Sequence, residues 1–159
     1  MLGLGYPGGP ALERLAATGD PGAFGFPTAD AVKGLDFSFA GVKTSLLYAI
    51  RDLGEAEAAR RAADLAASYQ RAIVEALTQR TERALVATGR ERLALGGGVA
   101  ANGVLRARMA ALTPDVAIPP PELCTDNAAM IASAARAVTP LPFPAYLDLD
   151  VYATGAGGL

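Results

Sequence analysis

The residues best placed to do chemistry fall in four short segments. The first is Leu95-Gly96-Gly97-Gly98-Val99-Ala100-Ala101-Asn102, a glycine loop between a strand-like apolar run and a helical pattern. Such a loop lets backbone N–H groups approach an anion closely, and the helix N-terminus behind it adds partial positive charge. A nucleotide phosphate or ribose is the expected guest, and a tight strand-to-helix turn without a ligand is the plainer alternative. Gly96-x-Gly98-x-x-Ala101 also matches a dinucleotide fingerprint, which requires an acidic residue at the end of the next strand to hold ribose hydroxyls. That strand ends in Ile118-Pro119-Pro120 and carries Asp115 only at its start, which argues against a Rossmann dehydrogenase.

The second segment is Pro121-Glu122-Leu123-Cys124-Thr125-Asp126-Asn127 ahead of an Ala-rich helix. Thr125 or Asp126 reads there either as an N-cap or, for Asp126, as a metal-binding or phosphate-side carboxylate. One carboxylate cannot hold a transition metal by itself, so further ligands would have to come from elsewhere. The third is Tyr6-Pro7-Gly8-Gly9-Pro10 with Glu13 a turn later. Its glycines would let a ribose or a flat ligand face lie against the backbone, and Glu13 could accept from ribose hydroxyls. The plainer reading is a turn that starts a helix, with Glu13 solvated. The fourth, Asp36-Phe37-Ser38-Phe39-Ala40-Gly41-Val42-Lys43-Thr44, reads as a strand-to-helix corner. Cys124 has no histidine to activate it and reads as a small buried residue.

Composition limits what these segments can do alone. The 159 residues include no His and no Trp, one Cys, and 14 Lys+Arg against 16 Asp+Glu. The commonest general base and the commonest transition-metal ligand are therefore missing from this polypeptide. A net charge of −2 argues against a stand-alone nucleic-acid binder, although nucleic acid remains possible as a shared ligand. At 52% hydrophobic and 19% charged, with 35 alanines, the chain reads as a globular protein built on Ala-rich helices. No apolar run approaches the roughly 20 residues of a membrane span, the N-terminus lacks the basic flank of a signal peptide, and a single cysteine suits a reducing compartment. A cytoplasmic location and no membrane partner are the expectations.

These segments need elements to hold them. Pro10 at the first helical position and Gly19 past the end predict a short helix between them. Asp36–Phe39 alternates like a short strand, and Val42, Leu46, Leu47, Ile50 and Leu53 give a helix ending at Gly54. From Glu55 to Thr88 neither Gly nor Pro intervenes, and Leu65, Tyr69, Ala72, Ile73, Ala76, Leu77 and Ala84 form one apolar stripe. That pattern predicts a long amphipathic helix, kinked or split near its start and closed by Gly89. A buried strand at 92–95, a helix at about 102–112, a strand at 116–118 and a helix at about 126–138 follow. The alternation implies an α/β layer with parallel pairing. Residues 139–159 form a Pro/Gly-rich tail.

The four segments, in this order, resemble the tRNA threonylcarbamoyltransferase family of the TsaD type, formerly called a glycoprotease. The matching residues are Tyr6-Pro7-Gly8-Gly9-Pro10, Asp36 to Thr44, Gly97-Gly98-Val99-Ala100-Ala101-Asn102, and Pro121 to Asn127 running on through Ala132. The resemblance covers residues 1–138. It implies an α/β, actin-like ATPase fold (ASKHA), of which this chain would be the C-terminal half, with long helices and a small mixed sheet. It further implies transfer of threonylcarbamoyl from threonylcarbamoyl-AMP to the tRNA adenosine beside the anticodon. Gly9, Glu13 and Asn102 would contact the nucleotide, and Asp126 would be one ligand of an iron or zinc ion.

Family members are about twice as long, and their first half carries a His-x-x-x-His metal-ligand pair that has no counterpart here. The resemblance thus implies a C-terminal portion of the enzyme, inactive without an N-terminal half and exposing an unpaired sheet edge. The implied partners are that half, a paralogous non-catalytic subunit, an ATPase subunit of the tRNA-modification complex, and tRNA as shared substrate. A second hypothesis is a non-catalytic nucleotide- or paralogue-binding module of the same fold, although such subunits generally lack the Cys124-Thr125-Asp126-Asn127 signature. A protease has little support, with no His-Glu-x-x-His and no base for Cys124.

Overall fold

The structure is a computed structural model that describes residues 2–28, 34–125 and 127–149. Its helices are α1 (Gly8–Ala16), α2 (Ala40–Leu53), α3 (Glu55–Arg60), α4 (Ala62–Thr88), α5 (Gly103–Ala110) and α6 (Asn127–Ala134), and its strands are β1 (Arg92–Ala94) and β2 (Asp115–Ala117). The strands pair in parallel, with Arg92, Leu93 and Ala94 opposite Asp115, Val116 and Ala117. The chain divides into two compact units, Met1–Thr125 and Asp126–Leu159.

Helix α4 organises the first unit. Its 27 residues span about 40 Å at 1.5 Å per residue. The break expected near the start of this run falls at Arg61, whose φ of −101° and ψ of 18° separate α3 from α4. Gly89, at φ 61°, closes α4 in the left-handed conformation that glycine adopts without Cβ strain. The single apolar stripe read from the sequence is too narrow, because α4 is covered on three sides. Leu65 and Ala72 pack with Phe26, Val42, Leu46 and Ala58 on the α2–α3 side. Ala66 and Ala67 meet Ala16, Leu12 and Leu15 of α1. Val74 packs with Leu105 and Met109 of α5, with Leu93 and Leu95 beside them.

Helix α1 begins at Gly8, two residues before Pro10, so proline occupies the third helical position and not the first. Its missing N–H costs nothing there, since the first four N–H groups of a helix have no intrahelical partner. After α1 the chain crosses α4 so closely that a Cβ on Gly19 would stand 2.1 Å from the Ala63 carbonyl oxygen. The following loop is tied to α4 at several points. Fully buried Ser68 accepts from the Phe24 N–H at 3.1 Å and donates to the Asp20 carbonyl at 3.2 Å. Asp64 accepts from the Asp20 N–H at 2.9 Å, and the Arg61 guanidinium lies 4.2 Å from the Phe24 ring centre.

Two strand expectations fail in part. Asp36–Phe39 forms no strand; Phe37 and Phe39 stack on each other with ring centres 6.1 Å apart and stay exposed. An alternating segment becomes a strand only where an edge offers ladder partners, and no described strand lies alongside it. The Arg92–Leu95 run gives a three-residue strand, Arg92–Ala94, that is not buried, because the sheet has two strands and of these three residues only Leu93 turns toward the core. Among the described residues this sheet is purely parallel, not mixed. In the second unit, α6 runs into a 3₁₀ turn at Ala135–Ala137, four residues short of the expected helix end, and a second turn spans Ala145–Asp148.

Two outcomes test this packing. Gly19→Ala must push the crossing apart and should cost about 1–3 kcal/mol in urea unfolding, whereas an unshifted midpoint would remove the close approach. Burial raises the Tyr69 phenol above its ordinary value of 10.0. The folded state thus holds the phenol proton more tightly than the unfolded chain, so this contribution is intact below pH 10 and is lost as pH rises through the raised value. Tyr69→Phe should flatten the alkaline decline in stability, measured by urea unfolding between about pH 9 and about pH 11.

Candidate functional site

Because β1 and β2 are parallel, their C-terminal ends lie at one edge of the sheet, the edge where α/β proteins bind ligands. The glycine loop leaves β1 there and the proline run leaves β2. The Leu95 N–H donates to the Ala117 carbonyl at 3.0 Å, carrying the ladder one residue beyond β1. Gly97, at φ 88°, then turns the chain into a 3₁₀ turn over Gly98–Ala101, anchored by buried Ala100. Asn102 leads directly into α5.

Two helices and the N-cap residue itself contribute side chains to the start of α5. Asn102 Oδ1 accepts from the Leu105 N–H at 2.9 Å, an N-cap bond that fixes which way the amide faces. Its Nδ2 therefore points to Gln70 Oε1 of α4, which accepts at 2.9 Å. Glu13 Oε1, from α1 and 90 residues away in sequence, accepts from the Gly103 N–H at 2.7 Å. Two of the free N–H groups at this helix start are thereby satisfied by two of the three residues that the resemblance assigns to a nucleotide. The Glu13 side chain makes no other hydrogen bond among the described residues.

One turn into α5, Arg106 faces the proline run. Its Nη1 donates to the Ala100 carbonyl at 3.0 Å and to the Pro119 carbonyl at 2.8 Å, and lies 3.9 Å from Cys124 Sγ. Cys124 is 1% exposed, and its thiol points at the Pro120 carbonyl, 3.5 Å away. Thr125 reaches back toward the glycine loop, with Cγ2 3.8 Å from where a Gly98 Cβ would stand.

Of the residues read from the sequence, Glu13 and Asn102 are brought together and the glycine loop is placed beside them. Gly9 is exposed in the first turn of α1, where a Cβ would meet nothing within 4 Å, so packing alone does not require glycine there. Asp126 lies outside the described residues. Asp115 pairs with Arg92 at 3.0 Å at the opposite end of the strands, which removes it as a ribose acceptor for a dinucleotide. Among the described residues no group of three or more His, Cys, Asp or Glu could hold a metal. Cys124 faces carbonyls and a guanidinium, so the described donors do not make a metal centre. Sequence reasoning missed Gln70 and Arg106, because their partners lie 32 and 13 residues away and nothing local marks either.

If the capping bonds hold the start of α5, Asn102→Ala and Glu13→Ala should each lower stability by about 1 kcal/mol. Asn102→Asp should keep the cap and most of that stability, because Gln70 can turn its amide to donate to the new carboxylate. Urea unfolding measures all three, and an unchanged Asn102→Ala would remove the cap.

The comparisons with known proteins bear on what this arrangement serves. The family model for tRNA N6-adenosine threonylcarbamoyltransferase matches residues 1–133. A tRNA N6-adenosine threonylcarbamoyltransferase of Symbiobacterium thermophilum is 52% identical over 84% of this chain and 40% of its own length. The relative from Thermomicrobium roseum is 44% identical over 96% of this chain and 47% of its own, and that from Anaeromyxobacter dehalogenans 54% over 84% and 42%. The chain thus spans less than half the length of these curated relatives. With the model matched over most of its residues, the chain belongs to the TsaD family of tRNA N6-adenosine threonylcarbamoyltransferases.

Proposed function

We propose that this chain supplies the adenylate-binding side of a tRNA threonylcarbamoyltransferase, as the C-terminal half of an actin-like ATPase fold. The observation that carries the reading is the meeting of Glu13, Asn102 and the glycine loop at the start of α5, on the ligand-binding edge of a parallel sheet. The names of the relatives supply the reaction class. Glu13 retains a carboxylate oxygen for ribose hydroxyls, the Asn102 amide and the loop backbone face the nucleotide, and exposed Gly9 leaves room for it against α1. The exocyclic amine of adenosine is a weak nucleophile, so binding and orientation supply most of the acceleration.

We further propose Asp126 as one ligand of an iron or zinc ion whose other ligands lie outside this chain. The site is then complete only with an N-terminal half. tRNA, a paralogous non-catalytic subunit and an ATPase subunit are the partners this reading brings, and the cytoplasm is its compartment. Among the described residues no helix is long and apolar enough to cross a membrane.

The test mixes this chain with the N-terminal half of the Symbiobacterium relative, threonylcarbamoyl-AMP and tRNA, and reads threonylcarbamoyladenosine by mass spectrometry. Product from the mixture and none from the chain alone is expected. Robust turnover by the chain alone would sink the two-half reading. Product and metal content unchanged by Asp126→Ala would instead favour a non-catalytic nucleotide-binding module.

A further inference from the structure

We infer that Arg106 is the positioning residue of this site: its guanidinium holds the proline run, and with it the Cys124–Thr125 turn, against the glycine loop. The inference rests on the nucleotide reading above and adds to it the device that holds the two loops in register.

The need for such a device follows from the sequence. Beyond Ala117 the ladder ends, and Pro119, Pro120 and Pro121 follow in succession. Proline has no N–H, so this run cannot bind a neighbouring segment through its own donors; its carbonyls are the only backbone handles it offers. A donor from elsewhere must therefore tie it down. Arg106 Nη1 does so, with one hydrogen on the Pro119 carbonyl at 2.8 Å and the other on the Ala100 carbonyl at 3.0 Å. One nitrogen thus bridges the segments leaving two neighbouring strands. The Cys124 thiol takes the next handle, the Pro120 carbonyl, at 3.5 Å.

The clamp is also coupled to the nucleotide-facing groups. The Arg106 N–H donates to the Asn102 carbonyl at 3.0 Å, so Arg106 sits one turn from the cap on the same short helix. Glu13 and Gln70 hold the start of that helix. A displacement of α5 would move cap and clamp together, whereas loss of the Arg106 side chain would release only the proline run. These two kinds of failure can be told apart.

Cys124 is the only cysteine, free and buried directly beneath the clamp, which makes it a site-specific reporter. The rate of its modification by Ellman's reagent is measured on the full chain for the parent, Arg106→Ala and Arg106→Lys, at rising urea below the unfolding transition. Arg106→Ala should raise the rate by about tenfold or more with little urea dependence, the mark of a local opening that exposes little surface. Arg106→Lys, which keeps a donor on a shorter reach, should fall between the two. In parallel, calorimetry with adenosine monophosphate, each variant being mixed with the N-terminal half of the Symbiobacterium relative, should give about tenfold weaker binding for Arg106→Ala and partial recovery for Arg106→Lys. An unchanged labelling rate overturns the clamp, as does an increase that follows global unfolding with its full urea dependence. Equal nucleotide affinity in parent and Arg106→Ala overturns its positioning role. A parent mixture that binds no adenosine monophosphate overturns the nucleotide reading, and the labelling rates then decide the clamp by themselves.

Discussion

Coverage of one helix on three sides is the constraint from which the rest of the first unit follows. A surface helix buries one stripe and can fill it with large side chains. Helix α4 instead receives α1, the α2–α3 pair and α5 together, and in its first turns Leu65, Ala66, Ala67 and Ser68 are buried one after another. Four consecutive buried positions point around the whole helix circumference, which large side chains could fill only by holding the neighbouring helices apart. Alanine resolves the conflict where α1 approaches, at Ala16 against Ala66 and Ala67. The richness in alanine is therefore a packing requirement as well as a helix preference.

Close approach on that side has its own consequences. Because α1 lies tightly on α4, the chain leaving α1 passes over Ala63 with no room for a side chain at Gly19, and fully buried Ser68 must find partners in the loop above it. The same docking brings Glu13 to the start of α5, while α4 offers Gln70 from its own surface. The candidate site is thus assembled from three helices that meet only because of α4. No two of its side chains are neighbours in sequence, and only Asn102 is oriented by a local bond, its N-cap to Leu105.

That dependence explains what could be read in advance. Helix ends were legible at Gly54 and Gly89, where breaking the helix needs only local backbone geometry, and so was the strand–glycine–helix sequence around Gly97. The Asp36–Phe39 strand was not, since alternation records a tendency that only a neighbouring strand can realise. The apolar stripe of α4 gives one face because a single helical period selects one set of positions, and Ala66, Ala67 and Ser68, buried on the other faces, fall outside it. Asn102 stood out beside its glycines. Gln70 and Arg106 look like ordinary polar residues on helices, and their significance lies in partners that become neighbours only after folding.

The capping bonds also bear on how Glu13 and Asn102 could serve a ligand. An N-cap and a nucleotide contact at one residue look like competing explanations, yet the atoms divide between them. Glu13 spends one oxygen on the Gly103 N–H, and that bond orients the other. Both ends of the Asn102 amide are engaged, by Leu105 and by Gln70, so a ligand must share or exchange one of these bonds. The net worth of such a neutral bond is only about 1 kcal/mol, so the exchange is cheap, whereas ordering a free side chain on binding would cost about as much with nothing returned. Groups already held by the fold meet a ligand in place. The bonds that make these residues look structural are what make them suitable to bind.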